Sequence, residues 1–295
     1  IGGVVGHHDL RPVNHGGKGE GQGVIAQGQS VEIIDGQQED SNTVFGQIKT
    51  VDGGIVYLYM QSYGNYNGQM WSSGINYGKT LPGGYSYNYL TSIAIRNKGV
   101  ESTWAEIKDC SLTMLPYYIG FKGEYDIPKS DVVYVSNDTD YYMDYYFPIS
   151  GINGYEEWKG NLGEYSQYEK EYRAFVYKNY LTVDAETAEY MKDLISQNKF
   201  SLSDPYVIHK IASYIQNAAT YSLDYDPMLD VEENVVIAFL DKYKEGKCVH
   251  YASAATLLYR TLGIPARYVQ GWMIETVAGE YVDIKNPGHA WVEVY

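Results

Sequence analysis

The sequence predicts an α+β protein, and three changes of texture along its 295 residues carry that reading. From about 31 to 150, residues alternate apolar and polar or cluster as β-branched and aromatic runs broken by Gly, Asn and Asp, the pattern of strands. From 164 to 222 the apolar residues recur at helical spacing. After Gly263 the alternation returns. Strands, then helices, then antiparallel-looking strands describe a helix packed on a sheet.

Residues 1–30 are glycine-rich, lack periodicity and read as a flexible linker, with His7, His8 and His15 as solvated tail residues. "SVEIIDG" (30–36), "VFGQIKTVDGGIVYLYM" (44–60), "STWAEIKDCSLTML" (102–115) and "SDVVYVSND" (130–138) read as strands of a β-rich domain over 31–150. Within it "VDGG" (51–54) reads as a hairpin turn, because glycine tolerates the positive φ such turns require. Cys110 falls mid-strand with no histidine near it in sequence. Tyrosine is the compositional outlier at 33 residues, with clusters in 56–71, 83–90 and 139–148. They read as half-buried strand residues, with a carbohydrate or peptide platform as the functional alternative.

A helical connector is expected over 155–200. "EYSQYEKEYRAFVYKNYL" (164–181) sets Tyr165, Tyr168, Tyr172, Phe175 and Val176 near one face, and Asp184 is placed to cap the helix of 184–197. In "SDPYVIHKIASYIQNAATYS" (203–222), Pro205 is expected in the first turn, where its missing N–H costs little. Val207, Ile208, Ile211, Tyr214 and Ile215 form the apolar stripe there, and His209 lies off it. A last domain over 201–295 then runs through a helix starting at Cys248 to the strands "ARYVQGWMIE", "GEYVDIK" and "HAWVEVY".

Net charge is −15 with no block of Lys or Arg, which sets aside nucleic-acid binding, since that needs cations to displace counterions. No run reaches the roughly 18 apolar residues of a membrane helix. The chain opens at Ile1 without a methionine or signal-peptide pattern, and reads as a processed form or a cut fragment.

The chemistry concentrates in "EGKCVHYASAATLLYRTLGIPARYVQGW" (245–272) and "HAWVEVY" (289–295). Cys248 heads a helix-like run, where the positive end of the helix dipole favours thiolate. A thiolate nucleophile needs a proton partner on a rigid element, and His289 opens a strand after "NPG". Gly263, Ile264 and Pro265 read as a helix stop. Arg267 reads as structural, either pairing with a buried carboxylate or orienting the sheet, and Trp291 as sharing the strand face of His289, where it either shields the site from water or packs in the core.

These motifs together, the Gly-x-Cys, Tyr251-Ala252, "GIPAR" (263–267), Gly271 and the His-Ala-Trp strand, resemble the core of the bacterial transglutaminase-like superfamily, over about residues 203–295. The helix of 211–225 is similar to the segment that family places ahead of its cysteine. The resemblance implies a papain-like helix on an antiparallel sheet, with Cys248 as nucleophile and His289 as general base. The family's third member is an aspartate on the strand beyond His-Ala-Trp, and the sequence reaches Tyr295 before that strand; Asp283 stands in the wrong order for the part. "YMQSYGNYNGQMW" (59–71) and "EYRAFVYKNYLTV" (171–183) resemble segments of membrane-anchored bacterial proteins that carry this domain outside the membrane. That would make 31–150 an extracellular domain at a cell surface, joined to the membrane through segments absent from this chain. The expected substrate is a peptide or protein amide, such as one of a cell-surface protein, with either water or an amine as acceptor and no cofactor.

Other readings of the same residues remain. Cys248 and Cys110 could form a disulfide. A zinc site of Cys248, His250 and His289 lacks a fourth ligand, and a Cys-x-His at a helix start directs its side chains apart, so no metal is expected. His250 reads as a helper or packing residue. The acidic run 223–234 lacks the glycine and spacing of a calcium loop. The rival in function is a non-catalytic surface module that keeps the fold for binding or assembly.

Overall fold

The computed structural model describes residues 43–74, 77–87, 89–110, 156–222, 233–285 and 288–295, together with Pro116 and the backbone of short segments at 6–8, 30–32, 115–116, 119–123, 141–145 and 155. The strand expected at 130–138, His15, and most of the acidic run 223–234 lie outside the described residues.

Among the strands are β1 (Val44–Thr50), β2 (Gly54–Tyr63), β3 (Met70–Ser72), β4 (Thr103–Lys108), β5 (Ala266–Thr276), β6 (Tyr281–Lys285) and β7 (His289–Val294). The helices are α1 (Tyr89–Asn97), α2 (Tyr155–Asn161), α3 (Ser166–Asn179), α4 (Ala185–Asn198), α5 (Val207–Ala218) and α6 (Cys248–Leu262). The mixture of helix and sheet is the α+β class that the periodicities predict. No described helix is long and apolar enough to cross a membrane.

Two five-stranded sheets organise the chain. In the first, the order is Gly6–His8, β7, β5, β2, Leu115–Pro116, antiparallel throughout. In the second, it is β6, β1, β4, Tyr141–Tyr145, Ile119–Gly123. Strand pairing therefore crosses the boundary expected near residue 150. β2 pairs along nearly all of β5, and β6 pairs with β1, so the β-rich stretch and the last hundred residues share both sheets. Gly6–His8, inside the stretch read as linker, pairs with β7.

The cause lies in which faces must be covered. β5 and β7 are buried on both faces, β7 along its whole length. An antiparallel sheet exposes one face unless something packs on each side. On one side, Tyr268, Ala290, Val292 and Val294 join the core around α6, and further along Trp272, Ile274, Val56 and Leu58 pack on Ile48 and Ile107 of the second sheet. On the other, Val269 and Trp291 pack against Trp158, Tyr172 and Val176 of α2 and α3. The helices of 155–200 thus cover the sheet as well as connect its parts.

"VDGG" does not close a hairpin. Gly53 has the positive φ expected of it, 68°, but the turn carries the chain from β1 in the second sheet to β2 in the first. The Thr50 hydroxyl donates to that of Thr276 at 2.8 Å, tying this corner to the crossing from β5 to β6. A second difference is α1, "YLTSIAIRN", in a stretch read as strand; its Thr and Ile content reads as β, and tertiary burial of Leu90, Ile93 and Ala94 overrides it. Cys110 lies just past β4, after Asp109 at φ 51°, rather than within the strand.

The local signals in the helical part fare well. In α3, Tyr172 and Val176 are buried, with Tyr165, Tyr168 and Phe175 packed beside them. α5 buries Val207, Ile211 and Ile215 and leaves His209 exposed, although the helix begins at Val207, so Pro205 precedes it instead of occupying its first turn. Asp184 caps α4, its Oδ1 accepting from the Thr187 N–H at 2.9 Å. Asp184→Ala is expected to cost about 1 kcal/mol, read as a lower urea midpoint at unchanged m-value.

Candidate active site

The tripeptide "GKC" meets three separate demands. A Cβ on Gly246 would come within 2.8 Å of the Phe239 ring and 3.1 Å of the His250 Cβ, so glycine lets the chain turn tightly into α6. Lys247 is the extended N-cap, φ −104° and ψ 176°. Its backbone N–H donates to Nδ1 of His250 at 3.0 Å, the reach-back half of a capping box. Nδ1 as acceptor makes this a neutral imidazole with its proton on Nε2. The ring also packs on Phe239, centroids 5.6 Å apart. His250, read from sequence as helper or packing residue, is thus a capping residue that fixes where the helix starts.

Cys248 is then the first residue of α6, 5% exposed. Every residue from Cys248 to Arg260 is buried. The Tyr251 hydroxyl donates to the Ala219 carbonyl and that of Tyr259 to the Ile208 carbonyl, each at 2.7 Å, which fixes α6 against α5. Gly263 ends the helix in the left-handed region at φ 96°, as the Gly-Ile-Pro sequence predicts. Cys110 and Cys248 are not bridged; they sit in separate core clusters.

His289, 7% exposed, opens β7 opposite Gly271 of β5. Its ring lies 6.0 Å from that of Trp291 and 6.3 Å from that of Tyr57. Trp291 meets Tyr57 edge-on at 5.4 Å and covers Gly271, so Trp291 shares the side of His289 as alternation predicts. Ala290, Val292 and Val294, the alternate residues, join the core of α6, which packs along β7. α6, which starts at Cys248, thus packs on the side of β7 that carries Ala290, Val292 and Val294, while the His289 ring at the head of that strand lies on the side of Trp291 and Tyr57. Further along, Arg267 and Glu293 face each other across β5 and β7 as a buried pair, Nε to Oε2 at 2.9 Å, the carboxylate partner expected for Arg267. Asp283 is elsewhere, in the second sheet, where a hydrogen bond from Gln47 and then Lys285 hold its carboxyl below the usual range.

Several residues that matter here left no mark in the sequence. Trp71 of β3 donates to Ser253 Oγ on α6 at 2.8 Å and stacks flat on Tyr268, centroids 5.3 Å apart. Arg260 is held by three carbonyls, of Ala266, Gly64 and Thr182, at 2.7 to 3.0 Å, with its guanidinium over the Trp71 ring; burial lowers its pKa. Both tie α6 to segments almost 200 residues upstream, and no local pattern signals such partners.

The model of the transglutaminase-like superfamily matches residues 195–295. The uncharacterized protein YebA of Bacillus subtilis (strain 168) is 36% identical over 90 residues, 27% of this chain and 12% of that protein, so the match spans about an eighth of the relative's length. The crystal structure of the periplasmic domain of TgpA from Pseudomonas aeruginosa superposes with a TM-score of 0.60 over 92% of this chain and 90% of that one, at 14% identity. The same domain bound to ethylmercury gives 0.55 over 86% of each chain, again at 14% identity. At such identity these two show a likeness of fold, and it extends well beyond the segment that the family model matches. The family match thus covers both the helix that starts at Cys248 and the strand that starts at His289, and residues 195–295 are the part of this chain that matches the transglutaminase-like superfamily.

Proposed function

We propose that the chain catalyses thiol-dependent acyl transfer on peptide or protein amides, with Cys248 as nucleophile and His289 as base. The observation that supports this best is the packing of a helix headed by a buried cysteine on an antiparallel strand headed by a buried histidine, within the family match. His289 takes the thiol proton, and the Cys248 sulfur adds to the amide carbonyl carbon. The C–N bond breaks as the imidazolium returns that proton to the departing nitrogen, leaving a thioester. Water or a second amine adds in turn, its proton passes to His289, and the C–S bond breaks to restore the thiolate. Water gives hydrolysis or deamidation; an amine gives a cross-link. Backbone N–H groups at the start of α6 are the donors for the oxyanion, at the positive end of the helix dipole.

The fold likeness to a periplasmic domain supports an extracytoplasmic site of action in a bacterial envelope, with surface peptides or proteins as substrates. The test is glutamine–amine cross-linking run beside peptide hydrolysis, with wild type and Cys248→Ala compared on the full chain. Activity lost in the variant supports the reading. Equal activity in both overturns it and leaves a non-catalytic binding module.

A further inference from the structure

The His289 ring has two aromatic neighbours, and they come from opposite ends of the chain. Trp291, two residues further along β7, lies 6.0 Å away with 30° between the planes, so the imidazole stacks offset on the indole. Tyr57 of β2 lies 6.3 Å from the imidazole at 48° and meets Trp291 edge-on at 5.4 Å. All three separations fall in the range of about 4.5–7 Å that aromatic pairs favour.

The triangle spans two strands that are not neighbours. β5 lies between β2 and β7, and two strand spacings put their backbones about 10 Å apart. A side chain on β5 at this level would stand between the rings. The residue there is Gly271, which pairs with His289 on one side and with Tyr59 on the other. A Cβ on it would come within 2.8 Å of the Trp291 ring, so the indole lies over the glycine itself. Tyr57, paired with Met273 two residues along β5, reaches the same place from the far side. Trp291 is fully buried, and Val269, Trp158 and Tyr172 belong to the same cluster, so the indole is held from behind as well. Tyr57 is half-buried at the edge of that cluster.

The consequence falls on the imidazole. A base must keep its ring nitrogen toward the proton it takes, and a ring that turns freely loses that alignment. We propose that Tyr57 is a positioning residue for the acyl transfer: its ring, reaching over Gly271, braces Trp291 and holds the His289 imidazole in one orientation. This rests on His289 being the base. Tyr57 lies far outside residues 195–295, so the site draws on the β-rich stretch that the sequence reads as a separate domain.

The test compares Tyr57→Phe, which keeps the ring, with Tyr57→Val, which removes it and suits a strand. Tyr57→Leu is the second ring-free variant, used if the first does not fold. In the full chain with isotope-labelled histidine, the His289 imidazole C–H signal is assigned by its absence in His289→Gln. Ring currents of Trp291 and Tyr57 displace that signal, which is expected to move in Tyr57→Val and to stay in place in Tyr57→Phe. For cross-linking or hydrolysis, whichever the chain performs, kcat is expected to fall about tenfold in Tyr57→Val with KM little changed, as for a catalytic group slightly out of place. Tyr57→Phe is expected to keep the wild-type kcat. An unmoved signal or a wild-type kcat in the ring-free variant, or an equal loss in Tyr57→Phe, overturns the role of Tyr57. The signal reads the contact whether or not the chain turns over, and Cys248→Ala judges the functional reading, so the two can fail independently.

Discussion

Cys248→Ala is expected to abolish acyl transfer, by about 10³-fold or more, because no other group can form the thioester. The substitution suits a stability-neutral test. Alanine is the best helix former, and the site is the first residue of a helix whose start is already fixed by Gly246 and by the His250 cap. Loss of the buried thiol removes little volume, so the denaturation midpoint should stay close to that of wild type. A fall in activity without a fall in stability separates chemistry from folding. Cys110 offers no substitute, since it lies in the cluster between the two sheets and not in the core of α6.

The largest effect on stability is expected from Gly271→Ala. Gly271 faces His289 across the sheet, at a register shift where β2 and β5 come close. A Cβ there would stand 2.0 Å from the Leu58 carbonyl oxygen and 2.8 Å from the Trp291 ring. The first obstacle is backbone, in a central strand, and cannot swing away. The strands must part or Trp291 must leave its place beside His289. A cost of about 3 kcal/mol or more is expected, at the upper end for a single overpacking change, read by chemical denaturation. Gly160→Ala is the control: it lies in α2 with open space around its Cβ, and alanine there should stabilise by about 0.5–1 kcal/mol.

What could be read from the sequence follows from how local each cause is. The Asp184 cap, the stop at Gly263 and the stripe of α5 depend on neighbours within a few residues, and all three appear in the structure. So do the helix opening at Cys248 and the strand opening at His289, which together with the family resemblance located the candidate site. The assignments that failed needed a distant partner. "VDGG" contains the right glycine for a turn, but whether a turn joins two strands of one sheet or of two depends on β5 and β6, more than 200 residues away. The β stretch looked self-contained for the same reason. Alternation says that a strand has a face to bury, not which strand will lie beside it. The supports of α6 are hidden likewise: Trp71 reads as an ordinary strand aromatic until Ser253 and Tyr268 are set against it.

The most direct test of the central claim is to trap the covalent intermediate. Wild-type chain is mixed with a glutamine-containing peptide, quenched in acid within a turnover, digested and examined by mass spectrometry. The account predicts the acyl mass on the Cys248 peptide, removed by hydroxylamine, with the Cys110 peptide unmodified. Steady turnover of the peptide with no acyl group ever found on Cys248, or with the acyl group on another residue, would contradict it.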